Sequence, residues 1–189
     1  MRIAHLLTVG LFLQAMAGAA VADQEPPLYD YDKPTAYAEF INLKGEHIGR
    51  AELIQGPHGL LIMLELENVA EGSGFHGIHI HARGDCSLPE EGFPRAGLHA
   101  HGTNGGQKHG LMHPEGPHAG DLPSIYVHDG ILRYELFTTF ASLDGSVGTN
   151  IMHPTRGASL IIHENPDDHY TQPVGGAGDP IACAEIKLN

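Results

Sequence analysis

The sequence is short of cysteine, of basic residues and of long apolar runs. Cys86 and Cys183 are the only cysteines in 189 residues. Two cysteines cannot form a disulfide scaffold. They can form one staple, with free thiols or metal ligands as the alternatives. Ten Lys and Arg stand against 23 Asp and Glu, a formal net charge of −13. No basic stripe or basic amphipathic helix is visible, which argues against nucleic acid or an anionic membrane as partner. The one apolar run, Ala4 to Met16, follows Met1-Arg2 and precedes Ala20-Val21-Ala22. Short length, a basic start and a small-residue cleavage pattern read as a secretory signal peptide over residues 1–22, not a membrane span. No later segment resembles a transmembrane helix, none keeps a sustained helical period, and there is no internal repeat.

Removal of residues 1–22 leaves 167 residues and a net charge of −14. That length suits one domain with a proper core. Residues 23–34 are acidic and proline-bearing and are expected to form a flexible arm, with a single domain over 35–189. Export to a periplasmic or extracellular space would place both cysteines where disulfides persist.

From residue 37 onward the patterning is β. Tyr37 to Leu43, Ile48 to Ile54 and Leu60 to Leu66 suit strands, divided by Lys44-Gly45-Glu46 and by Gln55-Gly56-Pro57-His58-Gly59. Leu60, Ile62, Leu64 and Leu66 share one face of their strand; Leu61, Met63, Glu65 and Glu67 share the other. Strand texture returns at Ser124–His128 and Ile131–Phe140, joined at Asp129-Gly130, and again at Ala158–Glu164 and Ile181–Leu188. Strands recurring every ~10–12 residues between glycine turns imply an all-β sandwich or barrel. Residues 84–121 and 165–180 are different: rich in Gly and Pro, the first also in His, and poor in apolar side chains. Long loops of this kind are commonly functional, and metal ions or a disulfide would supply the cross-links they lack.

The histidines carry the chemistry. There are 15 of them. His79-Ile80-His81 closes an apolar run, and on a strand residues two apart face the same side, so both imidazoles can grip one ion. His99, His109, His118 and Asp121 follow, then His163 after a second apolar run. Six imidazoles and one carboxylate are too many ligands for one tetrahedral ion and suit two neighbouring ones. His5 leaves with the signal, and His47, His58 and His128 sit beside turns without ligand spacing.

In order along the chain, these segments resemble the copper/zinc superoxide dismutase family, especially its secreted bacterial branch. The resemblance runs from about residue 38 to 188. Gly77-Ile78-His79-Ile80-His81 with Gly84-Asp85-Cys86, Ala96-Gly97-Leu98-His99, and Lys108-His109-Gly110 carry it first. His118-Ala119-Gly120-Asp121-Leu122-Pro123, Leu160-Ile161-Ile162-His163-Glu164, Gly175-Gly176-Ala177-Gly178 and Ile181-Ala182-Cys183 complete it. The resemblance implies an eight-stranded Greek-key barrel with two long functional loops. It implies copper on His79, His81, His99 and His163, and zinc on His99, His109, His118 and Asp121, with His99 bridging. It implies a carboxylate, Asp167 or its neighbour Asp168, linking a copper histidine to a zinc histidine, and a Cys86–Cys183 disulfide. The implied activity is dismutation of superoxide to oxygen and hydrogen peroxide, with copper as redox centre and the His99 imidazole taking a proton. Superoxide is then the small-molecule partner, and a homodimer is allowed.

Four departures qualify this. Pro180 stands three residues before Cys183, where the family places an arginine that holds the superoxide anion; proline has neither charge nor donor. Either another cation compensates, with Arg83, Arg95 and Arg156 as candidates, or activity is reduced. Ala100-His101-Gly102 replaces the family's Phe-Asn-Pro, making His101 an extra ligand or a solvated loop residue. The loop between His99 and His109 is longer than in the family, with His113 in the loop beyond as a surrogate ligand or a bystander. Residues 164–180 are short and acidic. His76 and His153 read as structural. Three rivals follow: a copper- and zinc-binding protein of the same fold that stores or delivers metal, a copper enzyme acting on another substrate such as a peroxide, and a purely structural sandwich.

Overall fold

The structure is a computed structural model describing residues 33–102 and 108–189. The expected signal peptide and nearly all of the expected arm lie outside the described residues. Among the described residues there are eleven strands: β1 (Ala36–Asn42), β2 (His47–Gly56), β3 (Gly59–Leu66), β4 (Gly74–His76), β5 (Ile78–His81), β6 (Ile125–Val127), β7 (Leu132–Thr138), β8 (Ala141–Ser142), β9 (Thr149–Asn150), β10 (Ser159–His163) and β11 (Pro180–Leu188). Seven form one antiparallel sheet in the order β5-β10-β11-β1-β2-β3-β7. β4 pairs with β6, and Gly77 alone separates β4 from β5. One bent strand therefore serves both sheets. β6 turns into β7 through Asp129 and Gly130, both at positive φ (48° and 77°), closed by paired hydrogen bonds between His128 and Ile131. That is the primed two-residue turn that matches the strand twist. The β4–β6 pair thus bridges the two ends of the long sheet and curls it into a barrel. Counting β4 and β5 as one, and leaving aside the two-residue pair β8–β9, eight strands build the wall, as expected. The described residues contain no α-helix; the 84–121 loop carries two short 3₁₀ turns, Pro89–Glu91 and Pro94–Ala96, where unstructured loop was expected.

Alternation makes the core. Ala36, Ala38 and Phe40 of β1, Leu60, Ile62, Leu64 and Leu66 of β3, Ile78 and Ile80 of β5, and Leu160 and Ile162 of β10 pack in one cluster. Each large apolar side chain so buried contributes ~1.5–3 kcal/mol. The same alternation turns Ile161 and Cys183 outward, where they meet Cys86, Phe93 and Ala96 from the loop. Cys86 and Cys183 are disulfide-bonded, their Cα atoms 5.7 Å apart across 97 residues. This staple holds residues 84–97 against the outside of β10 and β11. The face of β5 turned away from the core carries His79 and His81, opposite Ile161 and Ser159 of β10. His163 ends β10 at a register shift.

Candidate metal centre

The outer face of β5 positions the site. His79 and His81 project from it two residues apart, as strand geometry requires. The loop then folds back along the same strand. Ala100 N–H donates to Ile80 O (2.8 Å), Ile80 N–H to Gly120 O (2.9 Å), and Gly120 N–H to Ala100 O (2.9 Å). These bonds bring His99 beside His81 and Asp121 beside His79. Gly120 has to be glycine here, since a Cβ would overlap the Ile80 carbonyl.

Each imidazole at the first cluster has one nitrogen pinned and one free. His81 Nδ1–H donates to Gly97 O at 2.8 Å, His163 Nδ1–H to Gly178 O at 3.0 Å, and His79 Nε2–H to Asp167 Oδ2 at 2.7 Å. His79 Nδ1, His81 Nε2, His99 Nε2 and His163 Nε2 are buried and have no hydrogen-bond partner. Ligand atoms of these four residues lie within 4.8 Å of one another. Four buried lone pairs facing one another are costly unless a cation stands between them. Burial also pushes the imidazoles toward the neutral, ligating form: His79 falls from 6.5 to about 3, chiefly by desolvation. His81 falls well below the ordinary value and His163 falls too, both for the same reason. Neutral nitrogens directed by a pinned partner nitrogen are what a transition metal binds.

A second cluster adjoins the first. Asp121 Oδ1 stands 3.0 Å from His99 Nδ1, 3.0 Å from His109 Nδ1 and 3.7 Å from His118 Nδ1. Ligands ~2.0–2.1 Å from a tetrahedral ion are separated by about 3.3 Å, a spacing these separations bracket. The other oxygen, Asp121 Oδ2, accepts N–H bonds from Gly110 (2.7 Å) and His118 (2.9 Å), which aims Oδ1 inward. His79 is also within reach of His99, His109 and Asp121. Its Nε2–H is committed to Asp167, and His118, which the family resemblance implies as a zinc ligand, lies at the edge of this group with its Nδ1 3.7 Å from Asp121 Oδ1. His99 faces both clusters, Nε2 toward the first and Nδ1 toward the second.

Asp167 ties the two together. Its Oδ2 accepts from His79 Nε2–H at 2.7 Å and its Oδ1 accepts from His109 Nε2 at 3.1 Å. Asp168, the alternative, is exposed, and its carboxylate accepts from the N–H groups of Tyr170 and Thr171. Burial opposes charge on His109, but its bonds to Asp121 and Asp167 outweigh this and raise it to about 9. Both carboxyls are held well below the usual range: burial works against their charge, and the His109, His99 and His79 bonds overcome it.

The structure groups six of the seven expected ligands, His79, His81, His99, His109, His163 and Asp121, with Asp167 bonded to two of them and His118 at the edge, 3.7 Å from Asp121. His101 stays outside both clusters, its ring 4.2 Å from that of His118. His113 packs against Tyr170 instead, with ring centroids 5.0 Å apart. His76 Nδ1–H donates to His163 O at 2.8 Å, and His153 closes a turn with Gly157. Pro180 sits opposite His163, and the negative charge of Asp179 acts on that imidazole. Among the candidate cations, the Arg83 side chain lies over Gly97 and the Arg156 carbonyl accepts the Gly84 N–H. Arg83 and Arg95 both act on Asp85.

Sequence reading missed the residues that hold the ligands by backbone. Gln172 clamps His109 twice, its Oε1 accepting the His109 N–H (3.0 Å) and its Nε2 donating to His109 O (2.9 Å). Gly97 and Gly178 act through their carbonyls, and Ser124 Oγ accepts the Asp167 N–H at 3.2 Å. Backbone acceptors have no side-chain signature; the concentration of glycine around His99 and in 175–178 was the one available hint.

Comparison with known proteins agrees with this geometry. The family model described as copper/zinc superoxide dismutase (SODC) matches residues 47–186. The chain is 40% identical to the Cu-Zn superoxide dismutase of Caulobacter vibrioides over 144 residues, covering 76% of this chain and 80% of that one. It is 42% identical to Cu-Zn superoxide dismutase 2 of Aquifex aeolicus over 153 residues, covering 80% and 86%. The crystal structure of a SOD-like protein from Bacillus subtilis superposes with a TM-score of 0.69 at 31% identity, covering 79% of this chain and 96% of that one. The match of family model, relatives and barrel over most of the chain places this protein in the copper/zinc superoxide dismutase family.

Proposed function

We propose that this protein is an exported superoxide dismutase. Copper would be held by His79, His81, His99 and His163, and zinc by His99, His109, His118 and Asp121. The observation that supports it most is the set of four buried, unpartnered imidazole nitrogens, three of them fixed in direction by a hydrogen bond on the opposite ring atom. Bound copper would supply the one-electron chemistry by which two superoxide ions and two protons become oxygen and hydrogen peroxide. The chain supplies the rest. His99 Nε2 can hold a proton at the first cluster while Nδ1 stays with the second. Asp167 fixes the orientation of His79 and His109. The Cys86–Cys183 disulfide and the expected leader at 1–22 support a periplasmic or extracellular location.

Pro180 and Asp179 support activity below the diffusion-limited standard that the family sets. An anion approaching a chain of net charge −13 needs a local cationic path, and the position opposite His163 supplies none. The same observation favours a second reading, a metal-storing or metal-delivering protein of this fold. Metal content and superoxide-dismutation rate decide between them. The first reading expects one copper and one zinc per chain and a rate that disappears with His163→Ala. A loaded protein no faster than its metal-free form would leave the storage reading standing.

A further inference from the structure

His169 is a buried-edge histidine that neither metal cluster uses. It lies in the left-handed region at φ 61°, uncommon for a non-Gly residue, though His is among those enriched there. Its backbone is tied on both sides: its N–H donates to Asp167 Oδ1 at 2.6 Å, and its carbonyl accepts the Met112 N–H at 3.0 Å. That carbonyl also packs so closely on Gly110 that no Cβ would fit there, and Gly110 is the residue whose N–H aims Asp121. The ring is 78% buried, and its Nδ1 stands 3.7 Å from Asp167 Oδ2 with no hydrogen-bond partner of its own. The backbone of Gly175 also packs on Asp167, where a Cβ would overlap the carboxylate.

Gly175 and His169 thus both pack against Asp167. Resting on the metal-centre reading above, we infer that His169 is a positioning residue for zinc retention. Its ring lies between Asp167 and solvent and keeps Nδ1 3.7 Å from Oδ2, near the carboxylate but not hydrogen-bonded to it. Water is kept from the carboxylate, and the two bonds to His79 and His109 keep their direction. A hydrogen-bond acceptor shared by two ligating imidazoles sets their orientation, and loss of such outer partners costs ~10–100-fold in metal affinity. His169 acts one step further out, so a smaller effect is expected.

The test is zinc release from the copper- and zinc-loaded protein into excess EDTA, comparing the parent with His169→Gly, His169→Asn and Asp167→Asn. Glycine removes the ring and tolerates the positive φ. Asparagine tolerates it too and places an N–H donor on the same Cγ. His169→Gly should release zinc about 3–10-fold faster, extrapolating downward from that outer-partner range. His169→Asn should stay near the parental rate. The melting midpoint of the metal-free protein should not move in either. Parental release by His169→Gly, equal acceleration by both variants, or an equal fall in the metal-free midpoint would overturn the inference. If Asp167→Asn also releases zinc at the parental rate, the metal-centre reading itself falls. If it alone is fast, only the role of His169 does.

Discussion

Pro180→Arg should raise the superoxide-dismutation rate of the loaded protein, and the structure bounds by how much. Pro180 begins β11 and lies directly opposite His163, the last residue of β10. A side chain there starts one strand spacing from a proposed copper ligand and is within arginine's reach of the first cluster. A unit positive charge ~6 Å from a bound monovalent anion is worth about 0.7 kcal/mol in bulk water and about 2.8 kcal/mol at an effective dielectric constant near 20. These limits correspond to roughly 3-fold and 100-fold in capture rate. Backbone cost should be small, because the position opens a strand and the natural residue has no N–H to lose. Pro180→Gln is the control, restoring the N–H and a long polar side chain without charge. Pulse radiolysis from low to ~0.5 M salt should show the arginine variant fastest at low salt and falling most steeply, since the Debye length shrinks from ~30 Å at 0.01 M to a few ångströms. If the natural protein already runs near the diffusion limit and arginine changes neither rate nor salt slope, another cation guides the anion and the reasoning about Pro180 is wrong. If glutamine matches arginine, geometry rather than charge is responsible.

Other expectations follow from the same structure. In the metal-free protein His109 titrates near 9, above its unfolded value of 6.5. Its contribution to stability should be complete below pH 6.5 and disappear as pH rises through about 9, and zinc uptake at pH 7.5 should release a proton. Calorimetry in buffers of different ionisation enthalpy measures that proton, and buffer-independent heats would refute it. His79 behaves oppositely, neutral in the fold down to about 3, so the metal-free protein should lose stability as pH falls from 6.5 toward 3, seen as a falling melting midpoint. Cys86→Ser with Cys183→Ser removes a crosslink spanning 97 residues, costing at most about 4–5 kcal/mol. Hydrogen exchange should rise first in residues 84–97, which the disulfide holds to β10 and β11; uniform loosening of the barrel would contradict this. Gly120→Ala should push the zinc loop off Ile80 and lower zinc content more than copper content by elemental analysis.

Most of the barrel was legible because a half-buried strand writes its two faces into alternate residues. Leu60, Ile62, Leu64 and Leu66 announced an inward face that the structure buries, and Asp129-Gly130 announced a turn whose two positive φ angles the structure adopts. The bend at Gly77 that lets one strand serve two sheets was not legible, since a single glycine carries no direction. Spacing and family resemblance together named the ligands. His79 and His81 needed nothing more than a two-residue period to share a face. His163, 82 residues later, could be placed beside them only by β10 pairing with β5.

The sequence by itself determined which residues could bind metal, and its resemblance to a family implied how they divide between two ions and that an anion-holding arginine is missing. Residue type and strand periodicity suffice only for the first. Tertiary structure alone decided which nitrogen of each imidazole faces inward, because that depends on which carbonyl or carboxylate occupies the other one. Gly97, Gly178 and Asp167 make that choice through space. It also decided between Asp167 and Asp168, neighbours in sequence. One is buried with its two oxygens on the imidazoles of His79 and His109, and the other turns outward to close a turn of its own. Chemical identity is local and can be read along the chain. Orientation and burial belong to contacts between segments far apart in sequence, and only the folded barrel sets them.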